Sequence, residues 1–117
     1  MVNGIHATIY SKDADAVRTF FRDVLEFPSV DAGHGWLIFA LPPAELGVHP
    51  ASANSHELYL ICDDLPATIQ HLKAKGVSFK GEVVEAGFGS MTRIALPGGG
   101  ELGLYQPKHP SPLALAT

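Results

Sequence analysis

HATIYSKDADAV (residues 6–17) runs parallel to ELYLICDDLPAT (57–68), and IFALPPAELGVHP (38–50) runs parallel to RIALPGGGELGLYQP (93–107). In the first pair an extended, β-branched and aromatic stretch meets an acidic cap and then a helical period. In the second an apolar run breaks at a Pro/Gly turn and resumes as Glu-Leu-Gly-apolar. A repeat of about fifty residues constrains the architecture more than any single element, because two copies of one supersecondary unit bury their helical faces by docking together.

Working outward, the first unit predicts a strand over 5–10. A helix follows from Asp13, with Ala16, Val17, Phe20, Phe21, Val24 and Leu25 recurring at three- and four-residue steps. Asp13 or Asp15 caps it, and Pro28 stops it. A short extended piece at 29–31, a glycine turn at 33–35, a strand at 36–41, a Pro42-Pro43 turn and a strand at 45–49 complete the order β-α-β-β-β. Residues 50–55 read as a linker. The second unit repeats the order: strand 58–62, helix 65–75 closed by Gly76, extended segment 77–85, strand 91–96, turn 97–100 and strand 101–105. The tail from Gln106, with three prolines, is expected to hold no regular structure. The fold class expected is α+β: two tandem βαβββ modules forming a pseudo-two-fold, half-open cupped sheet in a single domain, with module one at about 4–49, module two at about 56–107 and a tail at 108–117.

Composition excludes several classes. The 117 residues suit one domain, and 46% hydrophobic against 17% charged residues is enough to bury a core. A net charge of −4 without a Lys/Arg cluster argues against nucleic acid. The single cysteine, Cys62, forbids an internal disulfide and suits a reducing compartment. With no run of about 18–20 apolar residues and no basic n-region before an apolar stretch, neither a membrane span nor a signal peptide is expected, so the expected location is cytoplasmic.

His6 on the first strand, FFRDVLEF at the end of the first helix, CDDLPATIQHLKAKGV in the second unit and the LPGGGELGLYQP hairpin together resemble the vicinal oxygen chelate (glyoxalase/bleomycin-resistance/extradiol-dioxygenase) superfamily. The resemblance spans about residues 4–107. It implies the fold more sharply than the chemistry, since such proteins include metal lyases, dioxygenases, epimerases and metal-free drug-binding proteins. It also implies a homodimer, sometimes with exchanged modules.

Strand alternation sorts side chains between helix face and cup. His6, Thr8 and Tyr10 face the cup, as do Trp36, Ile38 and Ala40, and likewise Glu45, Gly47 and His49. In the second unit Glu57, Tyr59, Ile61, Met91, Arg93, Ala95, Glu101, Gly103 and Tyr105 do the same. The expected ligand-binding set is therefore His6, Tyr10, Trp36, Ile38, His49, Glu57, Tyr59, Met91, Arg93, Glu101, Gly103 and Tyr105. Aromatic walls with a few polar anchors suit a flat organic guest, although the same rings would also fill a closed barrel. Arg93 could clamp a carboxylate or phenolate of a ligand, or serve as an exposed partner for Glu57 or Glu101.

The resemblance places the four metal ligands of metal-dependent members at His6, Gly47, Glu57 and Gly103. Two of these are glycine and donate nothing. His6 and Glu57 alone would hold an ion weakly, unless a slip brought in His56 or a bulge brought in Glu45, His49 or Glu101. Cys62 faces the helix as an inert small hydrophobe, Gly98-Gly99-Gly100 is a turn, and His34, His71 and His109 read as surface residues. No cofactor is expected, with Fe, Mn, Ni or Zn as the alternative. The leading function is sequestration of an aromatic or hydrophobic small molecule. The alternatives are a metal-dependent lyase or extradiol-type dioxygenase using His6, Glu57 and Glu101, and a metal-free enzyme with His6 or Glu57 as general base.

Overall fold

Asp13 starts the first helix: its side chain accepts the Ala16 N–H at 3.4 Å, and α1 (Ala14–Thr19) follows. The structure, a computed structural model, describes residues 6–48, 50–110 and 112–115, without the side chains of 114 and 115. From Phe20 to Val24 the helix widens into a π turn, with Leu25 N–H donating to Phe20 O at 3.1 Å. Adjacent Phe20 and Phe21 are both buried there. Glu26 then takes φ +59°, which ends the helix before Pro28.

Strands β1 (Ser29–Asp31) and β2 (Leu37–Phe39) pair antiparallel across the glycine turn, where the Asp31 carboxylate accepts the Gly33 N–H at 2.7 Å. After the linker come β3 (Tyr59–Ile61), α2 (Leu65–Ala74), β4 (Ser78–Ala86), β5 (Gly89–Ala95) and β6 (Glu101–Pro107). They form a four-stranded sheet in the order β3-β6-β5-β4, with β3 parallel to β6 and the other pairs antiparallel. Asp64 caps α2 through the Ala67 N–H, and Gln106 Oε1 accepts the Leu65 N–H at 2.7 Å.

The core lies on one face of this sheet. Val17, Phe20 and Phe21 of the first helix meet Leu65 and Leu72 of α2 over Ile94, Leu96, Leu102 and Leu104. Ile94 is completely buried. Alternation holds throughout: Thr92, Ile94 and Leu96 are buried, while Arg93 is exposed and Met91 and Ala95 are half-buried on the opposite face. At Gly98, φ is +83° and a Cβ would stand 3.0 Å from Asp13 Cβ, so this turn seats the start of α1 against the sheet.

Three expectations are corrected. Residues 6–10 form no strand, and neither do residues 45–48; no β-ladder partner is found for either segment among the described residues. Apolar alternation shows that a segment can half-bury a face, but a strand also needs a neighbouring edge for its N–H and C=O groups. The tail is more ordered than expected: Gln106 and Pro107 extend β6, and Pro112–Leu115 form a short 3₁₀ turn. Residue 5, at the start of the expected first strand, and residue 49, at the end of the expected closing strand, lie outside the described residues.

Candidate functional site

The sheet face away from the core carries the candidate site, and its register fixes which side chains meet. Tyr59 pairs with Gly103, Gly103 with Arg93, and Arg93 with Lys80, giving one row across all four strands. In the next row Ile61 pairs with Tyr105, Tyr105 with Met91, and Met91 with Val84. Between Lys80 and Val84 the β4 strand carries a bulge, with Gly81 at φ +71°. The bulge opens a cleft of about 270 Å³ lined by Tyr59, Lys80, Gly81, Glu82, Val84, Met91, Thr92 and Arg93.

Gly103 is the pivot of the first row. The Tyr59 ring lies against it, so closely that a side-chain carbon built on Gly103 would overlap the ring, with Tyr59 Cγ only 2.7 Å away. The Tyr59 hydroxyl donates to Glu57 Oε2 at 2.5 Å, and Arg93 Nη2 donates to the same hydroxyl at 3.3 Å. The Arg93 guanidinium also stands 5.7 Å from the Tyr59 ring centroid, within cation–π range. Burial, reinforced by the hydrogen bond to Glu57, raises the Tyr59 phenol above its ordinary pKa, while the charge of Arg93 opposes the rise.

Tyr105 extends the aromatic surface. Its ring is edge-on to Tyr59 at 6.1 Å, tilted against Phe88 at 6.3 Å and against His109 at 5.8 Å. Its hydroxyl donates to Phe88 O at 2.9 Å, and burial followed by the nearby Glu45 charge raises its pKa. Gly89 makes room for this ring as Gly103 does for Tyr59. His109 Nε2 lies 3.8 Å from Glu45 Oε1, tying the 41–48 segment to the end of the sheet.

Of the expected site residues, Glu57, Tyr59, Met91, Arg93, Glu101, Gly103 and Tyr105 come together. His6 and Tyr10 sit on exposed chain that joins no strand among the described residues, and Tyr10 is 93% exposed. Trp36 and Ile38 are exposed on the β1–β2 hairpin, and neither makes a hydrogen bond or ring contact with the Tyr59 group. His49 lies outside the described residues. Lys80, Val84 and Phe88 also belong to this face, although the sequence does not single them out, and His109, which reads as a surface residue in the sequence, packs against Tyr105. Alternation along 77–85 was the available signal for Lys80, but only the β4–β5 register puts it beside Arg93.

A divalent ion needs at least three converging donors at about 2.0–2.6 Å. Gly47 and Gly103 offer none, and the Tyr59 ring covers the Gly103 corner. Glu57 is engaged with Tyr59, and Glu101 lies between Lys80 and Arg93 at 3.9 Å from each. Among the described residues no three His, Cys, Asp or Glu side chains gather as an ion would require. The described residues, as placed, do not fit the ion. Cys62 packs half-buried against the core, where burial raises its thiol pKa.

Comparison with known proteins bears on this geometry. The family model of the Glyoxalase/Bleomycin resistance protein/Dioxygenase superfamily matches residues 5–104. The chain belongs to this superfamily. Among solved structures, this glyoxalase-like chain is similar to TnmS3, an antibiotic binding protein from Streptomyces sp. CB03234. Identity is 22% and the TM-score 0.64, over 92% of this chain and 99% of that one. Lactoylglutathione lyase from Agrobacterium tumefaciens gives 16% identity and a TM-score of 0.62, over 90% and 94%. UcmS2 gives 19% and 0.61, over 90% and 98%. At these identities the likeness carries the mixed α+β fold. No curated protein matches significantly, and no helix among the described residues is long and apolar enough to cross a membrane.

Proposed function

We propose that this glyoxalase-superfamily chain binds and sequesters a small aromatic or hydrophobic molecule on the open face of the β3-β6-β5-β4 sheet, without a metal cofactor. The observation that carries this reading is the Tyr59 ring seated on Gly103, between Arg93 and the Tyr105–Phe88 pair. A planar guest stacks on such rings, and a glycine in place of a donor leaves the surface flat enough to receive it. The antibiotic binding described for TnmS3, whose fold this chain shares, accords with a carrier role.

The same proposal covers the assembly. Tyr10, Leu46, Val48 and Trp36 are 93%, 84%, 88% and 65% exposed on the half of the chain where residues 6–10 and 45–48 join no sheet among the described residues. A second copy would offer these segments an edge and cover their apolar side chains, giving a cytoplasmic C2 homodimer. With that edge supplied, residues 4–49 would complete a module of the same order as 56–107, and the chain would form one domain of two pseudo-symmetric units.

Calorimetric titration with planar polyphenols and quinones tests the binding, alongside elemental analysis and titration with Fe, Mn, Ni and Zn. The expected result is micromolar binding of at least one planar compound, weakened by Tyr59→Ala, with no stoichiometric metal. One equivalent of metal held by His6, Glu57 and Glu101 would overturn it in favour of a metal-dependent lyase or dioxygenase. Light scattering reads the dimer, and a monomer at micromolar concentration would refute that part.

A further inference from the structure

The cleft beside Tyr59 has a charge arrangement that the sequestration reading does not require. Lys80 and Arg93 are direct cross-strand neighbours, and their side chains are 47% and 44% exposed. One carboxylate serves both: Glu101 Oε2 lies 3.9 Å from Lys80 Nζ and Glu101 Oε1 lies 3.9 Å from Arg93 Nε. A charge-assisted hydrogen bond closes to about 2.7–2.9 Å, so Glu101 satisfies neither cation well. Their other contacts are also long: Lys80 Nζ to Gly99 O at 3.4 Å, and Arg93 Nη2 to the Tyr59 hydroxyl at 3.3 Å. Glu82 lines the same cleft but makes no ion pair with either cation, and Glu57 accepts from the Tyr59 hydroxyl.

Two half-exposed cations one strand apart, flanked by the Tyr59 ring and by Met91 and Val84, make an anion clamp beside an aromatic and apolar wall. From this juxtaposition we infer that the ligand is an aromatic carboxylate, whose carboxylate displaces Glu101 between Lys80 and Arg93 while its ring lies against Tyr59, Met91 and Val84. At about 270 Å³ the cleft takes a one- or two-ring acid, since sites for larger molecules begin at about 300 Å³. The planar fork of Arg93 suits a carboxylate, and Lys80 adds a point charge. This inference rests on the proposed binding of an aromatic guest at the same face.

The test uses 2-naphthoate and its neutral isostere 2-naphthamide, titrated calorimetrically into the full chain at low and high salt. Naphthoate is expected to bind about tenfold tighter than the amide at low salt, and the ratio should shrink as salt is added. Arg93→Gln and Lys80→Met should each bring the ratio toward one. Glu101→Gln, which removes the competing carboxylate, should raise naphthoate affinity about threefold. Equal affinity for acid and amide in the parent chain would overturn the carboxylate inference while leaving aromatic binding intact. Binding of neither compound would count against both. A loss of naphthoate affinity in Glu101→Gln would also overturn the displacement, because that variant acts in the opposite direction to the two cation substitutions.

Discussion

Replacing Gly103 with alanine perturbs the site at its pivot. The added methyl would occupy space held by the Tyr59 ring, so the ring has to swing away, because the backbone beneath it is fixed by ladders to β3 and β5. Leaving its seat, Tyr59 gives up its edge-on contact with Tyr105, worth about 0.5–1.5 kcal/mol, and its half-exposed cation–π contact with Arg93, worth about 0.5–1 kcal/mol. Alanine recovers about 0.5–1 kcal/mol over glycine in a strand. The net expectation is a loss of about 1 kcal/mol, or about 4 °C in Tm for a chain of this size. Thermal melts followed by circular dichroism read it, and near-ultraviolet tyrosine signals report the ring's release. Gly87→Ala is the control, since a Cβ there meets nothing within 4 Å. If Gly103→Ala melts at or above the parent temperature with its tyrosine signals intact, the seat is not a packing contact and the reasoning fails.

Other predictions follow from the same contacts. Because the folded-state pKa of Tyr59 is raised, its stabilising contribution is present below the unfolded phenol value of about 10 and is lost as pH climbs through the folded value. Glu57→Gln, by removing one cause of that rise, should lower the pH at which Tyr59 ionises in ultraviolet difference spectra and lessen the alkaline loss of stability; an unchanged titration would show that the hydrogen bond does not form. Asp64→Ala should cost about 1 kcal/mol in urea unfolding by removing the acceptor for the Ala67 N–H, and a change below about 0.3 kcal/mol would argue that Gln106 caps α2 alone. Cys62 should react with a disulfide reagent more slowly than a free thiol at neutral pH and reach that rate on unfolding. Equal rates before and after unfolding would place the thiol outside the core.

The second half of the chain was legible because its parity is unambiguous. The stretch from Met91 to Leu96 alternates so that Thr92, Ile94 and Leu96 fall on the core side, and Leu102 and Leu104 confirm the sense from the next strand. Helix boundaries followed from their caps, Asp13 and Asp64 at the starts and Gly76, with φ +85°, at the second end. The first half was less legible, because residues 6–10 and 45–48 have strand composition but pair with no strand among the described residues. Alternation is a property of the segment, whereas pairing depends on a neighbour that the local sequence does not encode. The site divides in the same way. Tyr59, Arg93 and Gly103 could be assigned to one face by counting, but the ring's place on Gly103 depends on the parallel β3–β6 register, and Lys80 beside Arg93 on a bulged β4–β5 register.

A flat guest on the Tyr59–Gly103 face would also lie against the neighbouring row, which holds Met91, one of only two methionines in the chain. A methyl-labelled NMR titration with a planar aromatic compound is therefore the most direct measurement. The Met91 methyl resonance is expected to shift with ring-current sign and to saturate at one equivalent per chain, while the Leu65 and Ile69 methyls in the groove between α2 and β4 stay still. Saturable shifts at Leu65 and Ile69 with an unmoved Met91 would place the guest on the opposite face and contradict that expectation.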